Sequence, residues 1–155
     1  MLVREVMTRR VLTVEAHWSL AELKSFLLEH GISGAPVVDA AGKLVGVVSS
    51  TDLLRTDDNE TSTTGGFFST ALDRPLAGEE LRSLVVETES TTSVGDVMTP
   101  VVFQVNEETP LDEAADTMVR GHIHRIVVTE KERVVGIVTA LDLVRALRDL
   151  LRSSK

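Results

Sequence analysis

The chain has 155 residues, of which 43% are hydrophobic, and 16 basic against 24 acidic side chains give it a net charge of −8. The hydrophobic content suffices for a buried core, and the negative charge argues against nucleic acid or an anionic membrane as the main partner. The absence of cysteine excludes disulfides, thiol nucleophiles and cysteine-ligated metal sites. No apolar run approaches the roughly 20 residues of a membrane span, and the start does not resemble a signal peptide, so we expect a soluble cytoplasmic protein.

An internal repeat sets the predicted architecture. Val6-Met7-Thr8 returns as Val97-Met98-Thr99, 91 residues later, and the similarity continues through residues 44–55 and 134–145. A unit of this length in two copies indicates a duplicated module with a shared core rather than a solenoid. Each copy is predicted to form a strand, a helix, a hairpin of two strands and a further helix.

The first copy carries clear start and stop signals for its first helix. Ser19 and Glu22 form a capping box, and Gly31 suits the position just past the helix end. A second helix is expected to open near Ser50. The strands of this copy are predicted at residues 11–14, 35–38 and 44–48.

Residues 57–91 belong to neither copy and hold eight acidic but only two basic side chains. Their polar, glycine-rich start favours a disordered linker, and residues 78–86 are compatible with a short helix. Phe67 and Phe68 are the exception, because two adjacent aromatic side chains are expected to pack on the body of the protein or on a partner. The domain organisation is therefore predicted as residues 1–56, an acidic insert at 57–91, and residues 92–155.

In the second copy, Pro110 is expected at the first helical position. The hairpin strands are predicted at residues 126–128 and 134–138. Apolar side chains recur along the last helix, and they are Leu141, Val144, Leu147, Leu150 and Leu151.

One pattern lies where a strand meets a helix in both copies. It consists of Gly, two apolar residues, Ser or Thr, two free positions and Asp, at residues 46–52 and again at 136–142. On pattern alone, the hydroxyl and the carboxylate are best explained as helix caps. The same geometry also suits ligand binding, since a carboxylate accepts two hydrogen bonds from the vicinal hydroxyls of a ribose, and each glycine permits close backbone approach to a ligand.

These features together resemble a pair of cystathionine β-synthase (CBS) domains, also called a Bateman module. The resemblance rests on the duplication, the two Val-Met-Thr tripeptides, the run Ala35-Pro36-Val37-Val38 and both Gly-x-x-(Ser/Thr)-x-x-Asp segments. It implies an α/β (α+β) fold in which two β-α-β-β-α repeats pack sheet to sheet with pseudo-two-fold symmetry. It also implies a non-catalytic, energy-sensing regulator that binds AMP, ADP or ATP in clefts between the repeats, with NADH or S-adenosylmethionine less favoured. The family further implies a homodimer that regulates an enzyme or transporter.

Carried over by this resemblance, Asp52 and Asp142 would bind ribose, and Ser49 and Thr139 would contact ribose or phosphate. The pocket for the adenine base in each cleft would be lined by strand residues. These residues are Val11, Thr13, Val14, Ala35 and Pro36 for the first cleft, and Val102, Gln104, Val105, Ile126 and Val127 for the second. Val127 departs from the family pattern, which has proline at this position.

The two copies differ most at His124 and Arg125, which replace Ser33 and Gly34 of the first copy. In related modules a His-Arg pair at this place contacts phosphate, and the guanidinium fork of arginine suits that role. The resemblance therefore predicts that these two residues bind phosphate and that the two clefts differ in affinity. The alternative is an ordinary strand-edge histidine beside a solvated arginine.

Other functions have less support in the sequence. His122 and His124 alternate on a strand as a metal pair would, but no third ligand is evident, and no catalytic residue or metal site is assigned. A ligand-free module that dimerises and binds a partner through residues 57–91 is the main alternative. In that case the Ser/Thr-x-x-Asp segments would serve only as caps.

Overall fold

The computed structural model describes residues 1–54, 67, 78–83, 91–100 and 102–155. They form a mixed α and β structure with two three-stranded sheets, which confirms the predicted fold class. The chain divides into two compact units. The repeat-1 unit is Leu12–Val102, and the repeat-2 unit combines Met1–Val11 with Phe103–Lys155.

The repeat-1 unit contains a three-stranded sheet in the order β1-β2-β3. Strand β1 is parallel to β2, and β2 is antiparallel to β3. A 3-10 helix, Ser50–Leu54, follows β3 directly. The other elements are β1 (Val14–Glu15), α1 (Leu20–His30), β2 (Gly34–Val38), β3 (Leu44–Ser49), α2 (Glu79–Ser83) and α3 (Val94–Val97).

Helix α1 begins and ends where its capping residues predict. The Ser19 hydroxyl accepts a hydrogen bond from the Glu22 backbone N–H, and the Glu22 carboxylate accepts one from the Ser19 N–H. Gly31 ends the helix in the left-handed conformation, with φ of 61°. Between these caps, Leu23 and Leu27 lie one helical turn apart and are fully buried in the core beneath the sheet.

The repeat-2 unit repeats this topology in the order β4-β5-β6. The proline prediction is wrong by one position, because Pro110 adopts an extended ψ of 141° at the N-cap and the helix begins at Leu111. A 3-10 helix, Val3–Glu5, also belongs to this unit. The other elements are β4 (Gln104–Asn106), α4 (Leu111–Gly121), β5 (Arg125–Glu130), β6 (Arg133–Thr139) and α5 (Ala140–Ser153).

The unit boundaries differ from the predicted limits of the repeats because each Val-Met-Thr tripeptide belongs to the unit of the other repeat. We call residues 3–8 the first arm and residues 94–99 the second arm. Thr8 of the first arm exchanges backbone hydrogen bonds of 2.9 and 3.0 Å with Ile137 of β6. Thr99 of the second arm does the same with Val47 of β3, at 2.8 and 3.0 Å. Each arm thus covers the edge of one sheet.

The glycine before each strand–helix junction is required by these arms. A Cβ atom at Gly46 would lie 2.7 Å from both the Met98 sulfur and the Thr99 carbonyl oxygen. At Gly136 it would lie 2.7 Å from the Met7 sulfur. The close approach predicted for a ligand at these two glycines is therefore made by the chain's own arms.

Backbone hydrogen bonds explain why the first repeat has proline at position 36 where the second repeat has valine at position 127. Pro36 lies opposite Val47, whose N–H and C=O are both bonded to Thr99, so the missing N–H of Pro36 costs β2 no bond to β3. Its counterpart Val127 donates its N–H to the carbonyl oxygen of Phe103 at 3.1 Å. Valine at position 127 thus adds a hydrogen bond between β5 and the segment that leads into β4.

Most of the acidic insert lies outside the described residues. The partner-docking role predicted for residues 57–91 therefore concerns residues that the structure mostly does not describe. Two described parts agree with the sequence. Helix α2 falls inside the stretch 78–86, and Phe67 is fully buried. Its ring lies 3.3 Å from the position that a Cβ atom would take at Gly34. Phe68 lies outside the described residues.

Candidate ligand-binding residues

In the repeat-1 unit, the junction of β3 with the following 3-10 helix buries a carboxylate. The Ser50 N–H donates to the Ser33 carbonyl oxygen at 2.8 Å and so fixes the turn. Asp52 Oδ2 accepts hydrogen bonds from the Ser49 backbone N–H at 2.7 Å and from the Ser49 hydroxyl at 3.3 Å. Asp52 is only 3% exposed and Ser49 is fully buried. The structure thus brings together the two residues predicted to bind ribose in this repeat.

The repeat-2 unit builds the same junction between β6 and α5. The Ala140 N–H donates to the His124 carbonyl oxygen at 2.8 Å. Asp142 Oδ2 accepts from the Thr139 N–H and from the Thr139 hydroxyl, both at 2.9 Å. The other oxygen, Oδ1, accepts from Arg145 Nη1 at 3.3 Å, and Asp142 is 8% exposed. Sequence reasoning missed Arg145, although its position three residues after Asp142 on a helix was a usable signal.

The capping interpretation is correct at Thr139, whose hydroxyl accepts a hydrogen bond from the Asp142 N–H at 3.3 Å, but capping does not explain the burial of Asp52 and Asp142. The carboxylates of Glu22 at α1 and of Asp96 at α3 also accept a hydrogen bond from the backbone N–H three residues earlier in the chain. Both of those carboxylates are exposed, and hydrogen bonds from Ser93 lower the pKa of Asp96. Removing a carboxylate from water is costly and adds nothing that a cap requires. Burial therefore distinguishes Asp52 and Asp142 from the ordinary caps.

The structure also brings the predicted phosphate-binding pair to this junction in the repeat-2 unit. Arg125 lies directly opposite Thr139 in the antiparallel pairing of β5 and β6, and His124 precedes it. Both side chains are half-buried, and burial lowers the pKa of Arg125. Side chains directly opposite each other in such a pair lie on the same face of the sheet. Arg125 and the hydroxyl of Thr139 therefore share a face.

The repeat-1 unit has no room for a side chain at the position that corresponds to Arg125. Gly34 is the counterpart of Arg125 and lies opposite Ser49. A Cβ atom there would come within 2.7 Å of the Val48 carbonyl oxygen, with the Phe67 ring also close. The asymmetry seen in the sequence thus reflects a backbone position that admits only glycine.

The residues predicted to line the base pocket differ in their burial and in the unit to which they belong. Val14 and Ala35 are fully buried in the core of the repeat-1 unit, beside Leu23 and Val48. Pro36, Ile126 and Val127 are also buried, Gln104 is exposed, and the others are half-buried. The half-buried residues are Val11, Thr13, Val102 and Val105. Val11 belongs to the repeat-2 unit, and Val102 belongs to the repeat-1 unit.

One polar group at the repeat-1 junction went unpredicted. The hydroxyl of Ser50 is buried, and none of the described residues provides it with a hydrogen-bond partner. No sequence signal marks this residue, since its counterpart in the second repeat is Ala140. Within the described ranges, no group of three or more His, Cys, Asp or Glu side chains is arranged to hold a metal ion.

Comparison with known proteins decides the family. The family model described as the CBS domain matches residues 3–59 and 94–149. The chain belongs to the CBS domain family. This confirms the tandem CBS pair inferred from the repeated motifs.

The CBS pair is similar in sequence to proteins of archaea and plants. It is 30% identical to an uncharacterized protein, MJ1426, of Methanocaldococcus jannaschii, over 95% of this chain and 91% of that protein. It is 33% identical to the CBS domain-containing protein CBSX1, chloroplastic, of Arabidopsis thaliana, over 97% of this chain and 66% of that protein.

Solved structures of other CBS pairs resemble it along nearly the whole chain. CBSX2 in complex with AMP is 30% identical, with a TM-score of 0.66, and the match covers 96% of this chain and 97% of that one. The CBS pair of protein MJ0100, in complex with 5′-methylthioadenosine and S-adenosyl-L-methionine, is 26% identical, with a TM-score of 0.62. The match covers 95% of this chain and 99% of that one. Among the described helices of the present chain, none has the length and apolar character to cross a membrane.

Proposed function

We propose that this CBS pair is a non-catalytic regulatory module that binds adenosine-containing ligands through Asp52 and Asp142. The observation that carries the proposal is the burial of one carboxylate at each strand–helix junction, where the carboxylate accepts a hydrogen bond from a neighbouring hydroxyl. A ribose supplies two adjacent O–H donors, which are suitable partners for an acceptor-only carboxylate. Ligand binding would compensate the cost of holding these acids away from water.

The ligands of related structures support an adenosine compound. CBSX2 is complexed with AMP, and the MJ0100 pair with methylthioadenosine and S-adenosylmethionine. These molecules share adenosine and differ in what the 5′ carbon carries. In the present chain Arg125 lies beside Thr139, so AMP, ADP or ATP is favoured over ligands without phosphate. We place this activity in the cytoplasm, in a homodimer that senses energy state and regulates a separate enzyme or transporter.

A thermal-shift screen tests the proposal directly. The purified protein is heated with millimolar AMP, ADP, ATP, NADH or S-adenosylmethionine, each in a separate sample. A ligand present at about 100 times its dissociation constant stabilises the folded state by about 2.7 kcal/mol. We expect AMP, ADP or ATP to give the largest shift, and the absence of a shift with every compound would favour the ligand-free interaction module.

The phosphate role of Arg125 makes a separate prediction. Arg125→Ala is expected to weaken AMP binding by about tenfold or more, because a hydrogen bond to a charged group contributes roughly 1.5–3 kcal/mol. Binding of adenosine, which lacks the phosphate, should change little. Isothermal titration calorimetry with both ligands measures the difference. Arg133→Ala, on the exposed end of β6, is the matched control, and equal losses for AMP and adenosine in the Arg125 variant would contradict the assignment.

A further inference from the structure

Phe67 belongs to the acidic insert by sequence, yet its side chain is fully buried in the repeat-1 unit. Its ring carbon Cδ2 lies 3.3 Å from the position that a Cβ atom would take at Gly34. Gly34 lies directly opposite Ser49 in the pairing of β2 with β3, and side chains at opposite positions project from the same face of a sheet. The ring therefore lies on the face that carries the Ser49 hydroxyl.

The equivalent place in the repeat-2 unit carries an arginine side chain. Arg125 lies directly opposite Thr139, as Gly34 lies opposite Ser49. In the proposed function, Arg125 contacts the 5′ phosphate of the ligand bound at its junction. Because the two junctions share one backbone pattern, the 5′ group of a ligand at the repeat-1 junction would point towards Gly34 and meet the ring of Phe67.

The two junctions therefore offer different partners to a 5′ group. The guanidinium of Arg125 donates hydrogen bonds that replace the water a phosphate loses on binding. The phenyl ring of Phe67 offers no such donor, so a phosphate beside it would lose water without compensation. An uncharged apolar group suits the ring, and a thioether suits it well, because sulfur makes favourable contacts with aromatic rings.

We infer that Phe67 makes the repeat-1 junction selective for adenosine compounds whose 5′ carbon carries an uncharged apolar group, the class to which the 5′-thioethers belong. AMP binds there more weakly, through its base and ribose, while the repeat-2 junction keeps its preference for a phosphate. The chain thus responds to two kinds of adenosine compound, one at each repeat. The inference rests on the proposed function, because it requires that Asp52 binds the ribose.

Calorimetry on two single variants tests this selectivity with Phe67 unchanged. Asp142→Asn leaves the repeat-1 site for measurement, and Asp52→Asn leaves the repeat-2 site. We expect the Asp142→Asn variant to bind 5′-methylthioadenosine about tenfold more tightly than AMP, and the Asp52→Asn variant to prefer AMP. Equal affinity or a preference for AMP in the Asp142→Asn variant would overturn this inference alone. If no adenosine compound binds the wild type, the proposed function fails and the inference fails with it.

Substitutions of Phe67 in the Asp142→Asn chain test the ring itself. Phe67→Gln removes the ring and should abolish the preference for 5′-methylthioadenosine. Phe67→Lys adds a cation as well, and should bind AMP about tenfold more tightly than the Phe67→Gln chain does. Phe26→Leu, which removes a ring on α1, is the matched control and should keep the preference. An unchanged preference in the Phe67→Gln chain would overturn the inference, and the calorimetry with Phe67 intact tests it independently of the stability of these variants.

Discussion

Replacing both buried carboxylates, as Asp52→Asn with Asp142→Asn, is expected to weaken AMP binding by about a hundredfold or more. Asparagine keeps an oxygen that can accept the N–H bonds of Ser49 and Thr139, so the caps are retained. It removes the negative charge that strengthens hydrogen bonds from a ribose diol, each of which contributes roughly 1.5–3 kcal/mol. Calorimetry of the double variant measures this loss.

The single variants and a control make the result specific. Each single change should remove binding at one repeat and leave the other, so that the stoichiometry falls while the remaining affinity persists. Asp96→Asn is the control, because Asp96 Oδ2 accepts hydrogen bonds from the Ser93 N–H and hydroxyl, as Asp52 Oδ2 does from those of Ser49, but Asp96 is exposed. Two-site binding retained in the double variant would refute the ribose assignment.

Gly46→Ala and Gly136→Ala are each expected to destabilise the protein by about 1–3 kcal/mol, because the added methyl group meets the arm. At Gly46 one of the closest atoms is the backbone oxygen of Thr99, which cannot move without breaking its pairing with Val47. For a domain of this size, that loss corresponds to a melting temperature lower by roughly 2–4 °C per kcal/mol. Differential scanning calorimetry measures the change.

Gly121→Ala is the matched control for the glycine variants. A Cβ atom at Gly121 meets nothing closer than 3.4 Å, and the position is the last residue of α4. This variant should be as stable as the wild type or slightly more stable, since alanine favours the helix. Wild-type stability of both Gly46→Ala and Gly136→Ala would contradict the packing of the arms.

Local signals in the sequence predicted most of the secondary structure correctly. The capping box of Ser19 and Glu22 and the glycine at position 31 define α1 to the residue. The Pro110 prediction failed by one position because proline is tolerated both at the N-cap and at the first helical residue, and the pattern alone does not separate the two.

Features that depend on distant contacts were not predictable in this way. Nothing near Met7 or Met98 indicates that each arm packs on the sheet of the other repeat, because this depends on where the chain returns after a long separation. The leucines of α5 have the spacing of a buried helix face, and only the structure places them at the surface. The sequence located the candidate site but not its burial, and burial is what separates Asp52 from an ordinary cap such as Glu22.

The measurement closest to the central claim compares AMP with 2′-deoxy-AMP in calorimetry on the wild-type protein. The two ligands share base and phosphate and differ by one hydroxyl of the diol. If Asp52 and Asp142 bind the ribose diol, the deoxy compound should bind at least about tenfold more weakly, since one charge-assisted hydrogen bond is lost. Equal affinity for the two compounds would contradict the account.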